Sequence, residues 1–125
     1  MRALALVTAL ALATPADAFF ADMRLRVEPG PGTDFSVQYK SQARLTDYWC
    51  AAGLYVTQTL RMPDRTRVFR LSPPPRKQGQ GIFFTLDPAR SAGETGISTF
   101  GGPQDGSMSA GGAVAQFCYV LDEDF

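Results

Sequence analysis

Apolar and polar residues alternate along residues 23–28 and again along residues 35–40. Strict alternation over several residues is typical of a strand with one buried face. The intervening residues 29–34 read Pro-Gly-Pro-Gly-Thr-Asp, which favours a turn because these residue types extend strands poorly. The pattern predicts a hairpin. Its inner face would carry six apolar side chains: Met23, Leu25, Val27, Phe35, Val37 and Tyr39.

The segment from Thr46 to Arg61 changes to helical spacing. Thr46 is the expected N-cap, Asp47 is favourably placed in the first turn, and Pro63 stops the helix. The helix should pack on the sheet through an apolar stripe of four residues: Trp49, Ala52, Val56 and Leu60.

Two further strands are predicted at residues 65–71 and 81–86, with three consecutive prolines in the connection 72–80. Residues 87–112 are rich in Gly, Ser and Ala and are expected to form a long loop, in which only residues 97–100 resemble a strand. The apolar run from Ala113 to Leu121 predicts a central strand. This order implies an α+β domain, with an antiparallel sheet of about five strands and one helix packed on one face.

The N-terminus has the pattern of a cleavable secretory signal. The chain begins with a positively charged segment, Met1 and Arg2, followed by an apolar run over residues 3–13. This run is much shorter than a membrane-spanning helix, which needs about 20 residues. Small residues at positions 16 and 18 predict cleavage between Ala18 and Phe19. We therefore expect residues 1–18 to be removed and residues 19–125 to form a single domain outside the cytoplasm, in the periplasm or secreted.

The charge is balanced, with 12 basic and 12 acidic residues. A nucleic-acid-binding protein would be expected to carry a basic excess, so this balance argues against such a partner. Nothing after the signal is apolar for long enough to span a membrane.

An exported chain with 2 cysteines is most simply interpreted as having one disulfide, Cys50–Cys118. Such a bridge would tie the helix to the sheet. The alternative is a reactive thiol at Cys50. Residues 48–53, Tyr-Trp-Cys-Ala-Ala-Gly, resemble the cysteine-bearing helix start of amidases and papain-like peptidases, but the chain contains 0 histidines to activate that thiol.

The lack of histidine also removes Ser-His-Asp hydrolysis and the usual catalytic zinc sites, and no cofactor or metal site is predicted. A glycosidase-like pair of carboxylates stays open, because sequence spacing does not give spatial separation. No two members stand out among the candidates, which are Asp22, Glu28, Asp34, Asp47, Asp64, Asp87, Glu94 and Asp105.

Basic residues are concentrated between positions 61 and 77, opposed there only by Asp64. A charged, solvated edge strand is one interpretation, since charge protects an edge from aggregation. An anionic binding surface is the other. The residues predicted to contact a partner through it are Arg67, Arg70, Arg76 and Lys77.

The chain resembles small uncharacterised exported proteins of proteobacteria. The resemblance lies in the Tyr-Trp-Cys-Ala-Ala-Gly helix start, in Ser-Pro-Pro-Pro-Arg at residues 72–76 and in Gly-Gln-Gly-Ile at residues 79–82. It implies no function, and it favours the Gram-negative periplasm over full secretion.

Two function hypotheses follow. The first is a non-catalytic periplasmic binding or accessory module that contacts another envelope protein, or an anionic envelope component, through its basic strand and Gly-rich loop. The second is a His-independent hydrolase of an envelope polymer that uses paired carboxylates.

Overall fold

The computed structural model describes residues 25–97 and 104–118. Within them, five strands form one antiparallel sheet in the order β1-β2-β4-β3-β5. The predicted α+β class is confirmed. The predicted signal peptide and its cleavage point between Ala18 and Phe19 lie outside the described residues. The strands are β1 Val27–Pro29, β2 Phe35–Val37, β3 Arg67–Arg70, β4 Ile82–Thr85 and β5 Ser107–Ser109.

Helix α1, Leu45–Leu54, lies across one face of this sheet. Residues directly opposite each other in neighbouring strands point to the same face, so Phe35 and Phe84, which are paired, both face α1. The Trp49 ring meets Phe84 edge-on with centroids 4.8 Å apart. Trp49, Ala52 and Val56 are completely buried, as the stripe predicts.

The last residue of the predicted helix stripe and the last residue of the predicted hairpin inner face are both exposed. Leu60 is 39% exposed and Tyr39 is 45% exposed, because both lie beyond the end of their element's packed part. The helix itself ends near the predicted position but changes form, with a π-helical segment at Tyr55–Thr59 in which the Leu60 amide bonds the Tyr55 carbonyl.

The predicted N-cap at Thr46 is wrong, because α1 begins at Leu45 and Arg44, two residues earlier, is the cap. The Asp47 carboxylate, in the first turn of α1, accepts a hydrogen bond from the Arg44 backbone N–H at 2.7 Å. A carboxylate that bonds back to the cap residue performs half of a capping box, so Asp47 positions the start of the helix.

The predicted strand Ala113–Leu121 is wrong in its described part, where residues Ala110–Phe117 form helix α2. The Ser109 side chain accepts the Gly112 backbone N–H at 3.0 Å and caps this helix. A short, nearly all-apolar run fits a buried strand and a buried helix equally well, so periodicity could not separate them. Alanine favours the helix.

The predicted Gly-rich loop also contains regular structure. It holds a 3-10 turn at Pro88–Arg90 and strand β5, neither of which was predicted. Ile97, the described residue of the predicted strand 97–100, lies outside any strand. Strand β5 escaped prediction because its three residues, Ser-Met-Ser, carry little β-propensity and are held by pairing with β3.

The predicted disulfide Cys50–Cys118 is confirmed. Because Cys118 follows α2 rather than lying in a strand, the bridge joins α1 to the end of the second helix. Helix α2 also packs directly against α1, so the two helices form one layer on the sheet.

Candidate functional site

The predicted partner-binding cations separate into two groups. Arg67 lies on the face of β3 that points away from the helices, where its Nε and Nη2 donate to the Ser107 hydroxyl at 3.2 and 2.9 Å. This contact spans the β3–β5 pair. Arg67 therefore has a visible structural role in the sheet.

Arg70 lies in the interior, with 1% of its surface exposed. Its Nε donates to the Ser72 carbonyl at 2.7 Å and its Nη1 to the Thr95 carbonyl at 3.0 Å. Within the part of the chain that the structure describes, its buried Nη2 has no hydrogen-bond partner. Burial, and then the positive charge of Arg76, lowers the pKa of Arg70. Arg70 was predicted to meet a partner at the surface, but the fold encloses it.

Arg76 and Lys77, in contrast, come together beside a cleft. The Arg76 guanidinium carbon lies 5.0 Å from the ring centroid of Tyr48 and 5.7 Å from that of Tyr39. Both distances fall within the range of cation–π attraction. Arg76 Nη1 also donates to the Gln80 carbonyl at 3.0 Å. The cation is thus held in a defined position.

Residues 72–81 of the connection between β3 and β4, which we call the proline loop, are fixed to the sheet at both ends. At its start, the Ser72 hydroxyl accepts the Phe83 amide at 3.0 Å, and the Ser72 amide donates back to the Phe83 carbonyl at 3.3 Å. At its end, Gly81 lies so close to β2 that a Cβ there would stand 2.0 Å from the Val37 carbonyl oxygen. No other residue type fits that approach.

Between the proline loop and the outer face of β2 and β4 lies a cleft of about 390 Å³, which we call the cationic cleft. Phe83 forms part of its wall, and 52% of this side chain is exposed. Phe83 pairs with Ser36 across β2 and β4, so both face away from α1. The cleft is lined by Ser36, Val37, Gln38, Ser72, Pro73, Pro75, Arg76, Lys77, Gln80, Gly81 and Phe83.

None of the described carboxylates lines the cationic cleft, and several of them bind groups of the fold itself. Asp34 accepts two hydrogen bonds from the Arg90 guanidinium, at 3.3 and 2.6 Å, and these lower its pKa. Asp105 accepts the Ser107 hydroxyl at 2.6 Å, which likewise lowers the Asp105 pKa. A general acid at neutral pH needs a raised carboxyl pKa, so neither group suits that role.

Residues 25–97 and 104–118 contain neither a cluster of metal-binding side chains nor a free thiol. There, no three residues of the types His, Cys, Asp and Glu come together as they would around a metal ion. Both cysteines are joined in the disulfide, so Cys50 carries no thiol. In that same part of the chain, no helix has the length and apolar character needed to cross a bilayer.

Sequence reasoning missed Phe83 as a surface residue. It lies between two completely buried residues, Ile82 and Phe84, in an apolar run that looked uniformly buried. The side chains of residues 82–84 nevertheless alternate between the two faces of the sheet, because adjacent strand residues point to opposite faces. An antiparallel sheet covered by helices on one face leaves the middle residue of such a run on the other.

Comparisons of the chain with protein-family models, with curated proteins and with solved structures gave no match.

Proposed function

We propose that this protein is an exported, non-catalytic module that binds a partner protein through the cationic cleft. The observation that carries the proposal is the combination of a half-exposed phenylalanine, Phe83, with two cations, Arg76 and Lys77, around one concavity. Aromatic residues and arginine are the types most enriched where proteins bind partners tightly.

The rigidity of the cleft supports this role. Ser72 fixes the proline loop to the Phe83 backbone, and Tyr48 holds the Arg76 guanidinium from beneath. A preformed site loses little conformational entropy when a partner binds, so more of the contact energy appears as affinity.

The position of the acidic residues supports a non-catalytic module over the carboxylate hydrolase. Among the described residues, the Asp47 and Asp87 side chains accept backbone N–H groups at the starts of helical segments, and Asp34 binds Arg90. A glycosidase needs two carboxylates facing one substrate site, one of them with a raised pKa.

Export is proposed from the N-terminal pattern together with the disulfide. Disulfides persist in oxidising compartments, and Cys50–Cys118 closes a long segment with a sequence separation of 68 residues. The resemblance to exported proteobacterial proteins favours the periplasm. N-terminal sequencing of the product from expressing cells tests this part, with Phe19 expected as the first residue and retained Met1 as the contradicting result.

Site-specific photocrosslinking tests the binding role. A photoreactive phenylalanine analogue replaces Phe83 in the full-length chain, which is expressed in a native host and irradiated. A defined crosslinked partner is expected, because this side chain lies where the partner would pack.

The matched control places the same analogue at Gln116, an exposed residue of α2 on the helical layer. The same partner should be absent there. A second sample combines the Phe83 analogue with Arg76→Gln, which should remove the crosslink. Equal crosslinking from Phe83 and Gln116, or none from either, would refute binding at the cationic cleft.

A further inference from the structure

The Arg76 guanidinium presents one unused edge. Its hydrogen bonds to described residues, to the Gln80 carbonyl at 3.0 Å and the Lys77 carbonyl at 3.5 Å, both leave from Nη1. The edge formed by Nε and Nη2 makes no hydrogen bond with the described chain. That pair of N–H groups matches the two oxygens of a carboxylate, which arginine binds in bidentate fashion.

Two tyrosine rings lie close to the Arg76 guanidinium. Tyr48 is completely buried, and its ring lies 5.0 Å from the Arg76 guanidinium carbon. Tyr39 lies 5.7 Å away. An arginine that lies against the ring of a buried tyrosine loses less rotamer freedom on binding than a free surface arginine, so its charge is well placed for recognition.

The electrostatic environment favours an anion. Of the described residues that line the cationic cleft, two are basic and none is acidic. The buried charge of Arg70 adds to this field, since Arg76 lies close enough for its positive charge to repel Arg70 and lower the Arg70 pKa. An incoming carboxylate would reduce that repulsion.

The shape of the cleft favours a peptide over a membrane surface. An open cleft of about 390 Å³, lined in part by Pro73, Pro75 and Phe83, accommodates a few side chains of an extended segment. Anionic membranes bind broad faces that carry many cations, each contributing about 1 kcal/mol. Here two cations rim a concave, largely apolar wall.

We infer that the cationic cleft binds an extended, acidic peptide segment of a partner protein. A carboxylate of that segment pairs with the Nε and Nη2 edge of Arg76, and a neighbouring apolar side chain packs on Phe83. This inference rests on the proposed function and specifies its ligand chemistry.

The test measures binding of a short fluorescent peptide, in which Glu and Leu alternate, to the full mature chain with its disulfide intact. A matched peptide carries Gln in place of each Glu. Fluorescence anisotropy should show affinity for the acidic peptide at least about tenfold higher, because charge-assisted hydrogen bonds are lost with Gln. Raising NaCl from about 50 to about 300 mM should weaken binding.

Two variants localise the interaction. Arg76→Gln should reduce affinity for the acidic peptide about tenfold or more, and Arg76→Lys should restore only part of it, because an ammonium cannot bind in bidentate fashion. Arg65→Gln removes the same charge from an exposed arginine two residues before the start of β3 and should leave affinity within about twofold of wild type. If circular dichroism shows that the Arg76→Gln variant is unfolded, the affinity of Phe83→Ser for the acidic peptide provides the second test.

Several results would overturn the inference. These are equal affinity for the Glu and Gln peptides, equal loss in Arg76→Gln and Arg65→Gln, or Arg76-dependent binding to phosphatidylglycerol vesicles without peptide binding. Self-association through Arg76 that excludes the peptide would also overturn it. A Phe83 photocrosslink that survives such a result would preserve the proposed function while rejecting the acidic ligand.

Discussion

Trp49 and Arg70 donate hydrogen bonds to the same acceptor, the backbone carbonyl oxygen of Thr95. The Trp49 Nε1 lies 3.3 Å from it and the Arg70 Nη1 lies 3.0 Å from it. One donor comes from α1 and the other from β3. The segment around Thr95 is therefore anchored to both layers of the fold through a single atom.

We predict that Arg70→Lys lowers the free energy of unfolding by about 2–3 kcal/mol, because one ammonium cannot replace the contacts to the Ser72 and Thr95 carbonyls. Trp49→Phe keeps the ring but loses the N–H, and should cost about 1 kcal/mol. Urea unfolding measures both. A value for Arg70→Lys within about 0.5 kcal/mol of wild type would contradict the role assigned to Arg70.

A double-mutant cycle gives a sharper test of the shared acceptor. The effects of Arg70→Lys and Trp49→Phe should not add, since each change alters the hydrogen bonding of the same carbonyl. Additivity within about 0.3 kcal/mol would show that the two donors act independently.

Reduction of the Cys50–Cys118 bridge should lower stability by about 4 kcal/mol, because the released chain gains conformational freedom in the unfolded state. The comparison is urea unfolding with and without reductant. The double variant Cys50→Ser/Cys118→Ser is the control, and its stability should not respond to reductant. A wild-type protein equally stable in both conditions would show that the bridge contributes nothing.

Gly53→Ala should destabilise the protein by about 1–3 kcal/mol. On an exposed helix the same change stabilises by up to about 1 kcal/mol, but a Cβ at Gly53 would stand 2.7 Å from the Ala110 carbonyl oxygen and 3.0 Å from Val114 Cγ2. Thermal unfolding measures the change. Ala115→Gly, at an exposed position of α2, should cost only the ordinary helix propensity. An increase in stability for Gly53→Ala would contradict this prediction, because it would mean that α1 and α2 can move apart to admit the methyl group without a cost in stability.

The Asp34–Arg90 pair predicts a pH dependence. The Arg90 guanidinium lowers the pKa of Asp34 below its ordinary value of 3.8, so the pair stabilises the fold above that pH. This stabilisation by the pair is lost as the pH falls through the lowered pKa that Asp34 has in the folded protein, because Asp34 then becomes protonated. Arg90→Gln should cost about 1 kcal/mol near pH 6, and the difference from wild type should vanish in the most acidic samples.

The control for this pH series is Arg26→Gln. Arg26 pairs with Glu28 at 3.7 Å, but both side chains are more than half exposed, at 69% and 51%. Water screens such a pair, so this variant should match the wild type across the series. A pH-independent loss in Arg90→Gln would assign its effect to packing rather than to the Asp34 charge.

The patterns that repeat along the chain predicted their elements well. Alternation located β1 and β2, although both strands are shorter than the predicted runs 23–28 and 35–40. Helical spacing placed Trp49, Ala52 and Val56 on the sheet, and the presence of only two cysteines gave the disulfide pairing. Each of these signals arises from local backbone geometry or from covalent chemistry, so one chain is enough to show it.

The cationic cleft was only partly visible. Arg76 and Lys77 were identified by charge, but charge along a sequence does not distinguish a buried arginine from an exposed one, and Arg70 has the same residue type and the opposite location. Its position is decided by register. Arg70 pairs with Phe84 across β3 and β4 and therefore shares the face covered by α1.

The sequence by itself determined the class of the fold, the main helix and the cysteine pair, because these depend on periodicity and on residue counts. Tertiary structure decided that residues 110–117 form a helix, that Ser107–Ser109 forms a strand, and that Phe83 and Arg76 line one cleft. Those outcomes depend on contacts between residues distant in sequence, whose energies no local pattern encodes.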